Sequence, residues 1–184
     1  MRGSTVGLVN EHEERVARYC RRLGALAGMD RRSCNELAKA ARLHDIGKVR
    51  VPRAVLDKPG IFDAADRAVV ERHAEEGHRL LCSPGNAFRT LAATIAWTHH
   101  ERWDGKGYPR GLRGALIPRA GRIVAICDVF DALTSDRVHR PALALGDAVA
   151  QMRAGRGTAF DPDLLDVFVS SLGEFVWRWR ASLS

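Results

Sequence analysis

The feature that most constrains this chain is the placement of its histidines and aspartates. His12, His44-Asp45, His73, His99-His100 and Asp128 fall where neighbouring apolar residues predict buried helix faces. Burying imidazole and carboxylate groups is costly unless each finds a partner, and one shared metal site satisfies several at once. A lone histidine on an apolar face is most often a hydrogen-bonded core residue. Here five of the seven histidines lie on such faces, and it is the number that points to a site. His78 sits off the stripe of its helix, and His139 lies beyond the fifth helix.

The elements carrying these residues read as helices. Asn10 with Glu13 resembles a capping box opening a helix that ends at Gly28, with His12 one turn before Val16 on the stripe Val16, Cys20, Leu23 and Ala27. Asp30 caps a second helix whose inward face is Leu37, Ala41 and His44, and Gly47 stops it. Residues 49–62 hold Pro52 and Pro59-Gly60, which predicts a loop with at most one short helical turn. Asp63 caps a third helix that aligns Val69, His73, Gly77 and Leu80. After Ser83-Pro84-Gly85, Asn86 starts a fourth, where Leu91-Ile95-His99 and Ala92-Ala96-His100 form adjoining rows. The glycine-rich stretch Arg102–Pro118 is a loop. Pro118 suits the start of a fifth helix, which carries Val124 and Asp128. Two more helices are expected over 145–154 and 161–180. With no alternating strand pattern, the fold class is all-α: a bundle of about seven helices with a dinuclear metal site in its core.

Length and composition narrow the class. At 184 residues the chain reads as one domain over 1–184, its core over roughly 10–170, and long enough to bury a core without disulfides. The longest apolar run, Leu91 to Trp97, falls far short of the ~18 residues of a membrane span. No apolar stretch follows the charged N-terminus, so no secretory signal is expected and a cytoplasmic location is. Cys20, Cys34, Cys82 and Cys127 lack CxxC spacing and read as small hydrophobes, leaving nitrogen and oxygen ligands for any metal. The net charge of +7 suits a phosphorylated partner. The excess of 25 arginines over four lysines is spread along the chain as a compositional bias would be. No basic run interleaved with aromatics predicts DNA or RNA binding. Apolar residues at 165, 168, 172, 175 and 179 of the last helix fit either a lid on the bundle core or a homodimer seam.

Adjacent residues on a helix point ~100° apart. His44-Asp45 therefore reaches two ions a few ångströms apart if the carboxylate bridges and the imidazole binds one side. His99-His100 offers the same splay from a facing helix, and His12, His73 and Asp128 arrive singly.

These residues also match a known family. His44-Asp45-Ile46-Gly47-Lys48 resembles the signature of the HD phosphohydrolase superfamily. His99-His100-Glu101 followed by Asp104-Gly105-Lys106-Gly107-Tyr108-Pro109 resembles the HHE…DGxGYP segment of its HD-GYP subfamily. Val51-Pro52, Lys58-Pro59-Gly60, Arg72-His73, Asp128 to Arg137, Gly157-Thr158 and Phe160-Asp161-Pro162 resemble further family segments in the family's order. The resemblance implies hydrolysis of cyclic di-GMP, a bacterial second messenger, to pGpG, GMP or both. It implies two or three metal ions, most often iron, with manganese as the alternative. By position the metal ligands would be His12, His44, Asp45, His73, His99, His100 and Asp128. Members with a third metal carry a glutamate one turn before the first histidine, where this chain has Leu8, so two ions are expected.

A hydroxide held between two metals bridged by Asp45 would attack phosphorus, with the 3′ oxygen leaving in line. The expected split places His12, His44 and Asp128 on one ion and His73, His99 and His100 on the other. Lys48, one turn after His44, is expected to pair with a non-bridging phosphate oxygen; otherwise it is a cation on a helix C-terminus. The resemblance assigns substrate contacts to Arg137, Arg140 and Tyr108. It also implies docking of a signalling partner, such as a GGDEF-type cyclase, on the loop around Tyr108. His139 stands where the family often has an aromatic residue. The alternatives are a hydrolase of another cyclic dinucleotide or nucleotide, and a cyclic di-GMP sensor or docking module without turnover.

Overall fold

The computed structural model describes residues 11–136 and 141–172. They form an all-α bundle, with two isolated bridges, Asp104 with Arg113 and Arg156 with Phe160, as the β-type pairings among the described residues. Helix α1 (Glu11–Leu26) opens with Glu11, Glu13 and Glu14 at its positive end. It gives way to Gly28, whose φ of +82° turns the chain out of the helix. Helix α2 (Arg31–Ala41) is capped by Asp30, which accepts the Ser33 N–H at 3.0 Å. A 3-10 segment (Ile46–Arg50) and a single turn, α3 (Arg53–Leu56), lead to α4 (Ala64–Glu71), where Asp63 and Asp66 form a reciprocal capping box. Helix α5 (His73–Leu81) follows, and then α6 (Ala87–Thr98), capped by Asn86. A long loop joins α6 to α7 (Arg119–Thr134), and α8 (Leu145–Ala154) and α9 (Pro162–Ser170) complete the bundle. Asn10, the expected cap of α1, lies outside the described residues.

Helices α1, α2, α6 and α7 enclose the core, with α5 against α6 and against the 3-10 segment. Val16, Leu23, Leu37, Ile95, Ile123 and Phe168 are among the residues sealed inside it. Cys20, Cys34 and Cys127 are buried and free, and Cys82 is exposed and free. No helix among the described residues is long and apolar enough to cross a membrane.

Two expected helices differ. The second ends at Ala41, so His44 and Asp45 sit in the turn after it, and Gly47 lies inside the 3-10 segment rather than stopping a helix. Gly47 has a packing reason instead. A Cβ there would sit 2.0 Å from the His73 carbonyl oxygen and 2.5 Å from the Gly77 nitrogen. The third expected helix is interrupted at Arg72, so α4 and α5 are separate elements and His73 begins the second. Of the possible dimer seam, Leu165, Phe168 and Leu172 are buried in this chain's own core, which removes them from any interface. Phe175 and Trp179, and the expected helix beyond residue 172, lie outside the described residues.

The Gly47 contact is with backbone atoms, which cannot swing aside. Gly47→Ala is expected to cost about 1–3 kcal/mol or more, whereas Gly146→Ala, in α8 with open space around it, is expected to gain up to about 1 kcal/mol. Denaturant midpoints of the two variants check this opposite response.

Candidate metal centre

Three histidines are placed by one repeated device. A carbonyl oxygen has two lone pairs and can take a second donor, and each of these imidazoles folds back onto a carbonyl in the last turn of a helix. His44 Nδ1 lies 2.8 Å from the Ala41 oxygen, at the end of α2. His73 Nδ1 lies 2.7 Å from the Val70 oxygen, in the last turn of α4. His99 Nδ1 lies 3.1 and 3.0 Å from the Ile95 and Ala96 oxygens, in the last turn of α6. A carbonyl only accepts, so each Nδ1 carries the proton and each Nε2 presents a lone pair.

Those Nε2 atoms converge. His73 Nε2 is 3.4 Å from His99 Nε2 and 3.1 Å from His100 Nε2. Asp45 Oδ1 faces the same place, 3.4 Å from His73 Nε2 and 3.8 Å from His99 Nε2. Its other oxygen, Oδ2, lies 3.5 Å from His44 Nε2. On that side His12 Nε2 is 3.3 Å and His44 Nε2 3.9 Å from Asp128 Oδ1. Two donor groups result, Asp45–His73–His99–His100 and His12–His44–Asp128, with ligand atoms inside each within 4.8 Å of one another. The structure thus brings together all seven residues named from the sequence, with one Asp45 oxygen turned toward each group.

The donor set fits divalent cations. His44 Nε2 and Asp45 Oδ1 are buried without a hydrogen-bond partner, an expense that buried polar atoms seldom bear unrepaid. Lone pairs facing one another, as on His73 and His99, repel unless a cation lies between them. The electrostatics agree. Burial pushes the His73 imidazole down to about 4 and lowers His44 and, strongly, His100, so all three favour the neutral, ligating form. Burial alone would raise Asp45 and Asp128. The hydrogen bond from His12 to Asp128, and Lys48 beside Asp45, instead hold both carboxyls far below the usual range. His12 differs: hydrogen bonds to Asp128 and Asp131 push it up to about 9.

Around this core the other expected residues are placed as follows. Lys48 Nζ pairs with Asp45 Oδ2 at 2.5 Å, half-exposed at the edge of the site. Its ammonium therefore rests on the carboxylate between the two groups. Tyr108 stacks on His100, ring centroids 4.7 Å apart and planes 28° apart. Burial and nearby carboxylates raise its phenol above the ordinary tyrosine range, so it stays protonated at neutral pH. Arg137 and Arg140, with His139 and Leu8, lie outside the described residues.

Periodicity gave no role to two acids that the structure places against the site. Asp131, buried in α7, accepts from His12 Nδ1 at 2.7 Å and from Arg15 Nε at 2.6 Å. Glu101, also buried, accepts the backbone N–H groups of Arg110 at 2.8 Å and Leu112 at 2.9 Å, and so ties down the loop carrying Tyr108. The same loop is fixed by the Tyr108 N–H on the His100 oxygen at 3.2 Å and by Arg110 over the Trp97 ring at 4.5 Å. Both acids stand inside the segments that resemble the family, directly after His99-His100 and one turn beyond Asp128.

Comparison with known proteins agrees with this geometry. The profile of the HD domain family matches residues 3–164. The chain is 40% identical over 172 residues to "3'3'-cGAMP-specific phosphodiesterase 2" of Vibrio cholerae, covering 94% of this chain and 33% of that protein. It is 38% identical over 160 residues to "Cyclic di-GMP phosphodiesterase" of Thermotoga maritima, covering 87% of this chain and 44% of that protein. The chain thus spans less than half the length of these relatives. Among solved structures it resembles Bd1817, an HDG"Y"P protein from Bdellovibrio bacteriovorus. That match has a TM-score of 0.70 and 19% identity, covers 94% of this chain and 55% of the other, and speaks to the fold.

The loop tether has a test independent of any ligand. Glu101→Ala removes the acceptor of two part-buried N–H groups, a loss of about 1 kcal/mol for each. Amide hydrogen exchange at Arg110 and Leu112 is expected to accelerate, while exchange in α1 and α2 stays as in the parent protein.

Proposed function

The chain belongs to the HD domain family, in its HD-GYP branch, and on that premise we propose that it is a divalent-metal phosphodiesterase that opens cyclic di-GMP. The observation that carries this reading is the pair of nitrogen–oxygen donor groups that meet at Asp45.

In this reading His12, His44 and Asp128 hold one ion and His73, His99 and His100 the other, with Asp45 shared. Iron is the first candidate and manganese the second, both suited to imidazole and carboxylate donors. When bound, such ions supply Lewis acidity and make a solvent oxygen nucleophilic at neutral pH. The chain's own residues supply the rest. The backbone carbonyls of Ala41, Val70, Ile95 and Ala96 fix which nitrogen of each imidazole is free. Lys48 spends one N–H on Asp45 and keeps two for a phosphate oxygen drawn into the site, where its charge offsets that developing on phosphorus. Tyr108 orients the His100 ring and walls one side with a neutral, flat surface suited to a nucleobase or ribose. Arg137 and Arg140 are the proposed guanidinium contacts to the second phosphate.

A second reading of the substrate is favoured by the Vibrio cholerae relative, whose name specifies 3'3'-cGAMP. The two substrates share the twelve-membered phosphodiester ring and differ in one base, so the chemistry is common and the base pocket decides.

Protein purified anaerobically and loaded with iron or manganese should convert cyclic di-GMP to pGpG, GMP or both, as resolved by chromatography. Chelation should stop turnover, and Asp45→Ala should abolish it. Lys48→Ala should lower kcat by on the order of 100-fold. Turnover of 3'3'-cGAMP alone would move the substrate to the second reading. Tight cyclic di-GMP binding without turnover in the metal-loaded protein would make the chain a sensor.

A further inference from the structure

The two donor groups are not braced alike. His44, His73 and His99 each give their Nδ1–H to a backbone carbonyl, a neutral acceptor fixed by its helix. His12 gives its Nδ1–H to the carboxylate of Asp131 at 2.7 Å. Asp131 is 1% exposed and is not among the seven donor residues. Its two oxygens are both engaged: Oδ2 takes His12 Nδ1 and, at 3.1 Å, Arg15 Nη2, while Oδ1 takes Arg15 Nε at 2.6 Å. The Arg15 fork locks the carboxylate plane, and Arg15 itself stands one turn after His12 on α1.

We propose that Asp131, clamped by Arg15, is a positioning residue that secures the ion held by His12, His44 and Asp128. The proposal rests on the ligand reading above. A carboxylate behind an imidazole fixes the proton on Nδ1, turns Nε2 toward the site and makes that nitrogen a stronger electron donor than a carbonyl partner does. The effect is local to one group. His12 and Asp128 reach the site from α1 and α7, and Asp131 stands one turn along α7 from Asp128, so the carboxylate also fixes the spacing between those two helices beside the ion. Among the described residues, the groups behind the Nδ1 atoms of His73 and His99 are backbone carbonyls.

The test uses the full chain and reads metal rather than turnover. Asp131→Asn keeps the shape and removes the charge; Asp131→Ala removes the partner altogether; Asp131→Glu restores a carboxylate. Cobalt(II) serves as probe, with stoichiometry from elemental analysis, affinity from competition with a chelator, and the visible ligand-field bands reporting the coordination of each ion. Asp131→Asn is expected to weaken one of the two ions by about 10- to 100-fold, leaving the other as in the parent, and Asp131→Glu to recover most of the loss. Asp161→Asn is the structural control: it removes an Arg–carboxylate pair of similar burial, between Arg122 and the start of α9, and is expected to lower the melting temperature without touching either ion. Two cobalt ions of unchanged affinity and unchanged spectrum in folded Asp131→Asn and Asp131→Ala proteins would overturn the proposal. His12→Ala separates that result from failure of the ligand reading. It should lose the same ion, and a His12→Ala protein that keeps both would sink the reading of His12 as a ligand, and the proposal with it.

Discussion

The site depends on one interaction, an imidazole Nδ1–H given to a carbonyl in the last turn of a helix. It appears at Ala41, Val70 and Ile95–Ala96, and it answers two demands at once. The ring is anchored to the end of a helix through a carbonyl's second lone pair, and the histidine is committed to the tautomer that leaves Nε2 free. Without it each ring could turn or shift its proton, and a cluster of buried nitrogens would have no reason to present lone pairs to a common point. The helices therefore do more than carry the residues: their termini set the direction of each ring.

The close backbone packing around Gly47 has the same logic. The segment after Asp45 and the start of α5 approach so nearly that a Cβ at Gly47 would overlap the His73 carbonyl, and Gly77 faces it across the contact. His73 and Asp45 are thus held by main chain against main chain, with no flexible side chain between to absorb a shift. Gly107, whose Cβ would meet the Arg102 nitrogen at 2.4 Å, plays a similar part where the loop turns back on His100. Two donor groups that share one carboxylate tolerate little slack, and contacts of this kind supply rigidity without using polar groups.

The sequence made the participants legible and the backbone only partly so. Histidine and aspartate on otherwise apolar rows stand out because burial there demands a partner. The helix, however, stops before the pattern does. Leu37, Ala41 and His44 keep helical spacing although the α-helix ends at Ala41, and Val69, His73 and Gly77 keep it across the interruption at Arg72. Hydrophobic phase records which side of the chain faces the core, and a turn that continues in the same sense preserves that phase while losing the hydrogen-bond ladder. Lys48 shows the consequence. In 3-10 geometry residues three apart eclipse one another, and Lys48 sits over Asp45, three residues back, rather than over His44 one turn away. Asp131 and Glu101 escaped for another reason: their partners are 119 and about ten residues away along the chain, and hydrophobic periodicity does not set them apart from solvated acids.

The two halves of the site accordingly differ in what fixes them. One is assembled from α5, α6 and the turn after α2, elements whose approach is set by glycine contacts and backbone carbonyls. The other joins α1 to α7 through side chains alone, His12 to Asp128 and Asp131, with Arg15 behind. A junction made of side chains depends on charge balance in a way that a backbone contact does not. His12 lies between two carboxylates, and Asp131 is neutralised by Arg15. That half therefore rests on paired charges, where the other rests on main-chain contacts. Asp45, with an oxygen toward each group and Lys48 resting on it, is the residue the two halves have in common.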